Sequence, residues 1–181
     1  MKNYFSKLKG GDLRSIARAN EVVNDVKNQE DFDVLFKELY HTDRKIRMRT
    51  ADAIEKITVS NPEYLTSHKK ELIHLCTQVQ HIELKWHLAL IISRFPLKPT
   101  ELKKVWRLLS GWAKDKEASK IVRVNSLQSL YTLCEQNNNL KSELKWMIDE
   151  ISKENIPSLN ARIKKNQSSL LPSSAIRTIF G

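Results

Sequence analysis

Apolar positions along this chain fall at helical intervals in nearly every segment, and polar clusters or prolines divide the segments. Leu13, Ile16, Val23 and Val26 keep that spacing over residues 12–27, which predicts a first long helix. Gly10-Gly11 loosens its link to a short leading segment. Phe32, Leu35, Phe36 and Leu39 give a second helix over 31–40. Asp43 is a natural N-cap for a third over 44–59. Asn61-Pro62 pairs a cap with proline at the first helical position and starts a helix that runs to residue 79. Further helices are expected over 82–94, closed by Phe95-Pro96, and over 99–112 and 117–136. The asparagine run 137–139 ends the last of these, and helices over 140–152 and 157–166 follow. After the first helix the order is therefore four A/B pairs.

A repeat underlies the pairs. Ile46-Arg47, Leu84-Lys85 and Val122-Arg123 each join an aliphatic residue to a cation at intervals of 38, and Leu159-Asn160 follows 37 later without the cation. Tyr40, Cys76, Trp112 and Ile148 form a second series at intervals of 36. The loop inside each pair lengthens along the chain, from Tyr40–Ile46 to Ile148–Leu159, which explains the unequal periods. Two interleaved series at this period mark a stacked two-helix repeat.

Residues 31–65, DFDVLFKELYHTDRKIRMRTADAIEKITVSNPEYL, resemble a HEAT repeat. They carry the A-helix leucines, Asp43 in the turn, the Ile46-Arg47 pair, the small residues Ala51 and Ala53, and an Asn-Pro closing turn. The third repeat departs from this pattern with Leu127 and Ser129, and the fourth lacks the cation. The resemblance covers residues 12–166. It implies an all-α fold, a right-handed α-solenoid of about four HEAT-like helix pairs plus an N-terminal helix. Residues 1–11 would precede it as a separate segment, and residues 167–181 would form a C-terminal tail or cap. In such proteins the B helices line a concave surface on which partners bind.

At about 100° per residue, the stripe through Ile46, Thr50, Ala53, Ile54 and Ile57 faces the core. Met48, Asp52 and Glu55 then face away. The same registration turns Trp86 and Leu90 outward in the second pair, and Val124, Gln128 and Tyr131 in the third. Exposed apolar groups in a cluster mark interaction surfaces, and Trp, Tyr and Met are favoured anchors there. This predicts a concave partner site of Met48, Trp86, Leu90, Val124 and Tyr131, with Asp52, Glu55 and Gln128 as polar contacts. The competing reading makes Trp86 an inter-repeat core residue. Arg47, Lys85 and Arg123, at the edge of the core stripe, are expected to rivet repeats through a turn acid or a backbone carbonyl. Asp43 is the expected partner of Arg47.

The chain carries 31 Lys and Arg against 21 Asp and Glu, a net charge of +10, which draws acidic partners, nucleic acid or anionic surfaces. Lys69-Lys70, Lys103-Lys104-Arg107 and Lys141-Lys145 place much of it on the A helices. Arg44, Lys45, Arg49, Lys120, Arg162, Lys164 and Lys165 lie toward the B helices and are the candidate nucleic-acid contacts. The lone Cys76 and Cys134 read as small core residues in a reducing compartment. No signal peptide is visible, and the apolar run 88–92 is too short to cross a bilayer. A soluble cytoplasmic protein without membrane attachment is expected.

Chemistry-bearing motifs are missing. His41, His68, His74, His81 and His87 form no HExxH and no Cys/His quartet. There is no phosphate loop and no GxSxG. Some HEAT-like proteins are DNA glycosylases that remove alkylated bases with concave tryptophans, an acid and arginines. Trp86 and the basic charge are similar in kind, but Leu90 stands where an acid would follow, and Trp106, Trp112 and Trp146 fall on A helices. The expectation is a non-catalytic protein-interaction module with no cofactor and no metal. The alternative is a nucleic-acid-binding HEAT-like protein related to those glycosylases.

Overall fold

The computed structural model describes residues 4–9 and 18–167. Among the described residues the regular elements are all helical, as the all-α solenoid expectation requires. Gly10, Gly11, Leu13, Ile16 and the tail 168–181 lie outside the described residues. The chain forms two compact units, residues 1–95 and 96–181.

The first unit contains α1 (Phe5–Leu8), α2 (Ala19–Asp25), α3 (Gln29–Lys37), α4 (Arg44–Ser60), α5 (Lys69–Gln78) and α6 (Ile82–Ile91). Asn28 caps α3 by accepting from the Asp31 amide at 2.9 Å. Asp43 caps α4 by accepting from the Lys45 amide at 2.8 Å. Each such cap satisfies an orphan amide and contributes about 1 kcal/mol. The expected helix over 62–79 is two pieces, a 3-10 turn Pro62–Leu65 and then α5. Leu65, at the end of the 3-10 turn, is fully buried, and His68 stacks on Phe36 with ring centroids 3.9 Å apart. The 3-10 turn packs on α4, and His68 is seated on α3.

Helix α4 is the centre of this unit. It packs on α2 and α1, on α3 with its terminal 3-10 turn Glu38–Tyr40, and on α6. The expected core stripe is buried throughout: Ile46, Thr50, Ala53, Ile54 and Ile57 are at most 5% exposed. The A-helix series is less uniform. Cys76 is buried, whereas Tyr40, in the 3-10 turn, is 48% exposed.

The second unit contains α7 (Pro99–Lys114), α8 (Lys120–Gln136), α9 (Lys141–Ser152) and α10 (Pro157–Asn166). Pro99 and Pro157 occupy first-turn positions, where a missing amide costs nothing. Glu101 accepts from the Lys98 amide at 2.8 Å and closes the start of α7. The 3-10 turn Asn138–Leu140 stands where the asparagine run breaks α8. Helix α8 packs on α7, α9 and α10, and its Cys134 is buried with the thiol pushed up to about 11, chiefly by burial.

Of the repeat-edge cations, Arg123 reaches the next helix pair, whereas Arg47 bonds the turn of its own pair. Arg47 donates to the carbonyls of His41 (2.6 Å) and Thr42 (3.0 Å). It thus ties down the turn before α4 through backbone, where a bond to Asp43 was expected. The Asp43 carboxylate instead accepts from the Lys45 amide. Arg123 is only 1% exposed. Its Nε donates to the Ala113 carbonyl at 2.9 Å, near the end of α7. Its two terminal nitrogens hold Glu154 in a fork at 2.8 and 2.9 Å, in the turn between α9 and α10. Asn155, with φ 53°, makes the reversal just after Glu154, a conformation Asn tolerates better than most residues.

Hydrogen bonding to Arg123 holds the Glu154 carboxyl below its ordinary value of 4.5. The pair's stabilisation is therefore complete above that value and is lost as pH falls through the lower folded value. Glu154→Ala leaves the buried Arg123 charge with one carbonyl, and we expect a loss of about 2–3 kcal/mol in urea unfolding at neutral pH. Adding Arg123→Met should recover part of it, and the gap to wild type should close as the melt is repeated at progressively lower pH.

Candidate interaction surface on the B helices

The B helices are α4, α6, α8 and α10, and side-chain bonds lace their outward strips together within each unit. Asp52 on α4 accepts from Lys56 at 2.7 Å, and Lys56 reaches Asn20 on α2 at 3.0 Å. On the other flank of α4, Glu55 meets His87 Nδ1 of α6 at 2.6 Å. Arg94, just past the end of α6, donates to the Glu55 carbonyl and to Thr58 Oγ1, the latter at 2.8 Å. Thr58 itself donates to the Ile54 carbonyl at 2.7 Å. Burial lowers the Arg94 guanidinium from its ordinary value, and the Glu55 carboxylate opposes that. In the second unit Gln128 of α8 accepts from Arg162 (2.7 Å) and Asn166 (3.0 Å) of α10.

The expected polar contacts Asp52, Glu55 and Gln128 are half-buried, and each already holds a neighbour. A carboxylate has about four acceptor sites, so Asp52 and Glu55 keep capacity beyond these bonds. Trp86, Leu90 and Val124 are half-buried. Trp86 and Leu90 stand one turn apart on α6, where i and i+4 side chains are neighbours.

Two expected anchors are corrected. Met48 is 8% exposed and Tyr131 is 3% exposed, so neither offers an open apolar surface. Met48 begins the row Met48–Ala51–Glu55–Thr58, whose later members meet His87 and Arg94. That row is the flank of α4 covered by α6. Tyr131 follows Gln128 by three residues on α8, which α10 covers, and its phenol is pushed up to about 12 by burial first and by nearby Cys134. A wheel with only an inside and an outside assigns these flanks outward, because it omits the adjacent B helix.

Sequence reasoning missed Val59, His87 and Arg94. Val59 is 69% exposed, one turn past Glu55 on the outward strip of α4. Its position next to the Asn-Pro turn was a usable signal. Arg94 follows Glu55 by 39 residues, one repeat, but nothing local marks it as a partner.

The candidate nucleic-acid contacts do not form one class. Arg49 is fully buried and donates to the Leu8 carbonyl at 2.7 Å. It therefore cannot meet a phosphate, which corrects the expectation for that residue. Arg44 is paired with Glu83 at 2.5 Å, and Arg162 with Gln128. Lys45 is half-buried in the first turn of α4. Lys120, Lys164 and Lys165 are exposed. Among the described residues no group of three or more His, Cys, Asp and Glu could hold a metal ion. No helix of the described residues is long and apolar enough to cross a membrane.

The Arg94 and Asp52 networks should differ sharply in weight. Arg94→Ala strips buried Thr58 and Glu55 of a charged donor and should cost about 2 kcal/mol in urea unfolding. Asp52→Ala removes an exposed i,i+4 pair and should cost under about 0.5 kcal/mol. Equal losses would contradict this assignment of weight.

No curated protein and no solved structure matches the chain. A family model for the HEAT repeat domain matches residues 11–169, and the chain belongs to that family.

Proposed function

We propose that this HEAT repeat chain is a non-catalytic interaction module that grips a peptide or helix of a protein partner on the outward strips of its B helices. HEAT repeats are commonly protein-interaction scaffolds, which supports the general reading. The observation that carries the particular one is the composition of the strip in the first unit. Half-buried Trp86 and Leu90 and exposed Val59 are interleaved with Asp52, Lys56, Glu55 and His87. Small apolar anchors inside a hydrogen-bonded polar surround are the usual anatomy of a transient interface. In the second unit Val124 and Gln128 occupy the corresponding places.

A rigid surround favours this use. The Glu55–His87–Arg94 bonds fix α6 against α4, so Trp86 and Leu90 are held in place before a partner arrives. Less conformational freedom is then lost on binding. The surround also carries both signs of charge, which suits a protein segment better than a polyanion.

Trp86→Ala and Leu90→Asp should each weaken capture of the partner by about 2 kcal/mol, roughly thirtyfold, with the far-UV circular dichroism of wild type. The partner would be identified by cross-linking to the full chain and its affinity measured by calorimetry. Loss of helicity in Trp86→Ala would make that residue core, and unchanged affinity in both variants would move the site elsewhere.

A further inference from the structure

The A helices of the second unit carry a surface that neither the B-helix site nor the repeat packing uses. A cleft of about 540 Å³ opens between the first turns of α7 and the start of α9. Its apolar lining comes from Pro99, Leu102 and Leu140. Trp106, 4% exposed, forms part of the wall, and its indole nitrogen donates to Glu143 Oε1 at 2.8 Å. That bond ties α9 to α7 and gives the cleft a fixed side.

Lys103 and Arg107 complete the lining. They are four residues apart on α7, so their side chains are neighbours, and like charges at that spacing repel by a few tenths of a kcal/mol. Both are exposed, and neither forms an ion pair among the described residues. Arg44 and Arg123, by contrast, are each paired with a carboxylate of a neighbouring element, Glu83 and Glu154. One turn beyond Glu143, Trp146 is 60% exposed. An apolar floor, two unneutralised cations at its lip and an open indole beside it thus share one face.

We propose that this cleft docks a short acidic segment of a protein partner, with one large apolar side chain in the cleft and carboxylates on Lys103 and Arg107. Charge complementarity selects the occupant. Two cations over an apolar floor, with the Glu143 carboxylate in the wall, match a peptide that mixes acids with Leu, Phe or Trp. A nucleic-acid backbone would need a longer run of cations and no wall carboxylate. The site is independent of the B-helix strip, so the module would hold two segments.

The test is a selection of displayed random peptides on the full chain, followed by calorimetry with the enriched peptides. The expected result is enrichment of sequences that combine Asp or Glu with a large apolar residue. Their affinity should fall about tenfold or more on K103E/R107E, stay within a few-fold on K103R/R107K, and be unchanged on Trp86→Ala. Both charged positions are exposed, so the variants should melt at the wild-type temperature. K103Q/R107Q would replace the reversal if it did not fold. Enrichment without acids, equal affinity for the reversed variant, or tighter binding of a single-stranded RNA oligonucleotide than of the peptides would overturn the proposal. Loss of binding on Trp86→Ala with no effect of K103E/R107E would assign the peptides to the B-helix strip and would also overturn it.

Discussion

Helix α4 is walled in on three sides, by α3 with its 3-10 turn, by α2 and α1, and by α6. Most of what distinguishes this chain from a simple amphipathic bundle follows from that enclosure. An ordinary surface helix buries one stripe and shows the rest to water. Helix α4 buries Met48, Arg49, Ala51 and Thr58 in addition to its core stripe. The water-facing remainder is a narrow strip that includes Asp52, Lys56 and Val59. Small residues at Ala51 and Ala53 let the neighbouring helices approach, and a larger side chain at either would push one of them off.

Enclosure of this kind makes polar side chains expensive unless they are satisfied. The chain meets that cost with long donors whose heads reach backbone oxygen or a carboxylate. Arg49 reaches Leu8, Arg94 reaches Glu55 and Thr58, and Arg123 reaches Ala113 and Glu154. In each case the aliphatic stem fills space between helices while the guanidinium bonds at the far end. Arg suits this better than Lys, because its planar fork can hold a carboxylate with two bonds at once. The Arg123–Glu154 fork is the fullest case, since one buried group joins the end of α7, the body of α8 and the turn before α10. Buried arginine in these units is thus a fastening device, and it removes part of the positive charge from any account of binding.

Much of this was legible in the sequence. The 38-residue return of aliphatic-cation pairs marked the B helices, and the Asp43 cap and the prolines at 99 and 157 marked helix starts that the structure has. The core stripe of α4 followed from its period. What did not follow was anything set by the neighbouring repeat. Met48, Arg49 and Tyr131 face flanks that an isolated helix would expose, and periodicity within one helix carries no information about the helix beside it. The break in the helix expected over 62–79 was hidden for a related reason. It goes with the packing of the 3-10 turn on α4 and of His68 on α3, a tertiary preference that overrides local propensity.

The same distinction separates the two surfaces by physical type. On the B helices, polar side chains already hold one another, Arg94 with Glu55 and Arg162 with Gln128, so their hydrogen-bonding capacity is partly used and the strip is held in place. Recognition there must come from shape and from a few apolar anchors, and it should depend little on salt. On the A-helix face of the second unit, Lys103 and Arg107 form no ion pair among the described residues, and an anion would relieve their mutual repulsion. Recognition there must carry an electrostatic share and weaken as salt screens it. One fold therefore offers two surfaces with opposite salt behaviour. The cause is where each cation sits in the stack: between two B helices it is consumed by structure, and on an outer A-helix face it stays available.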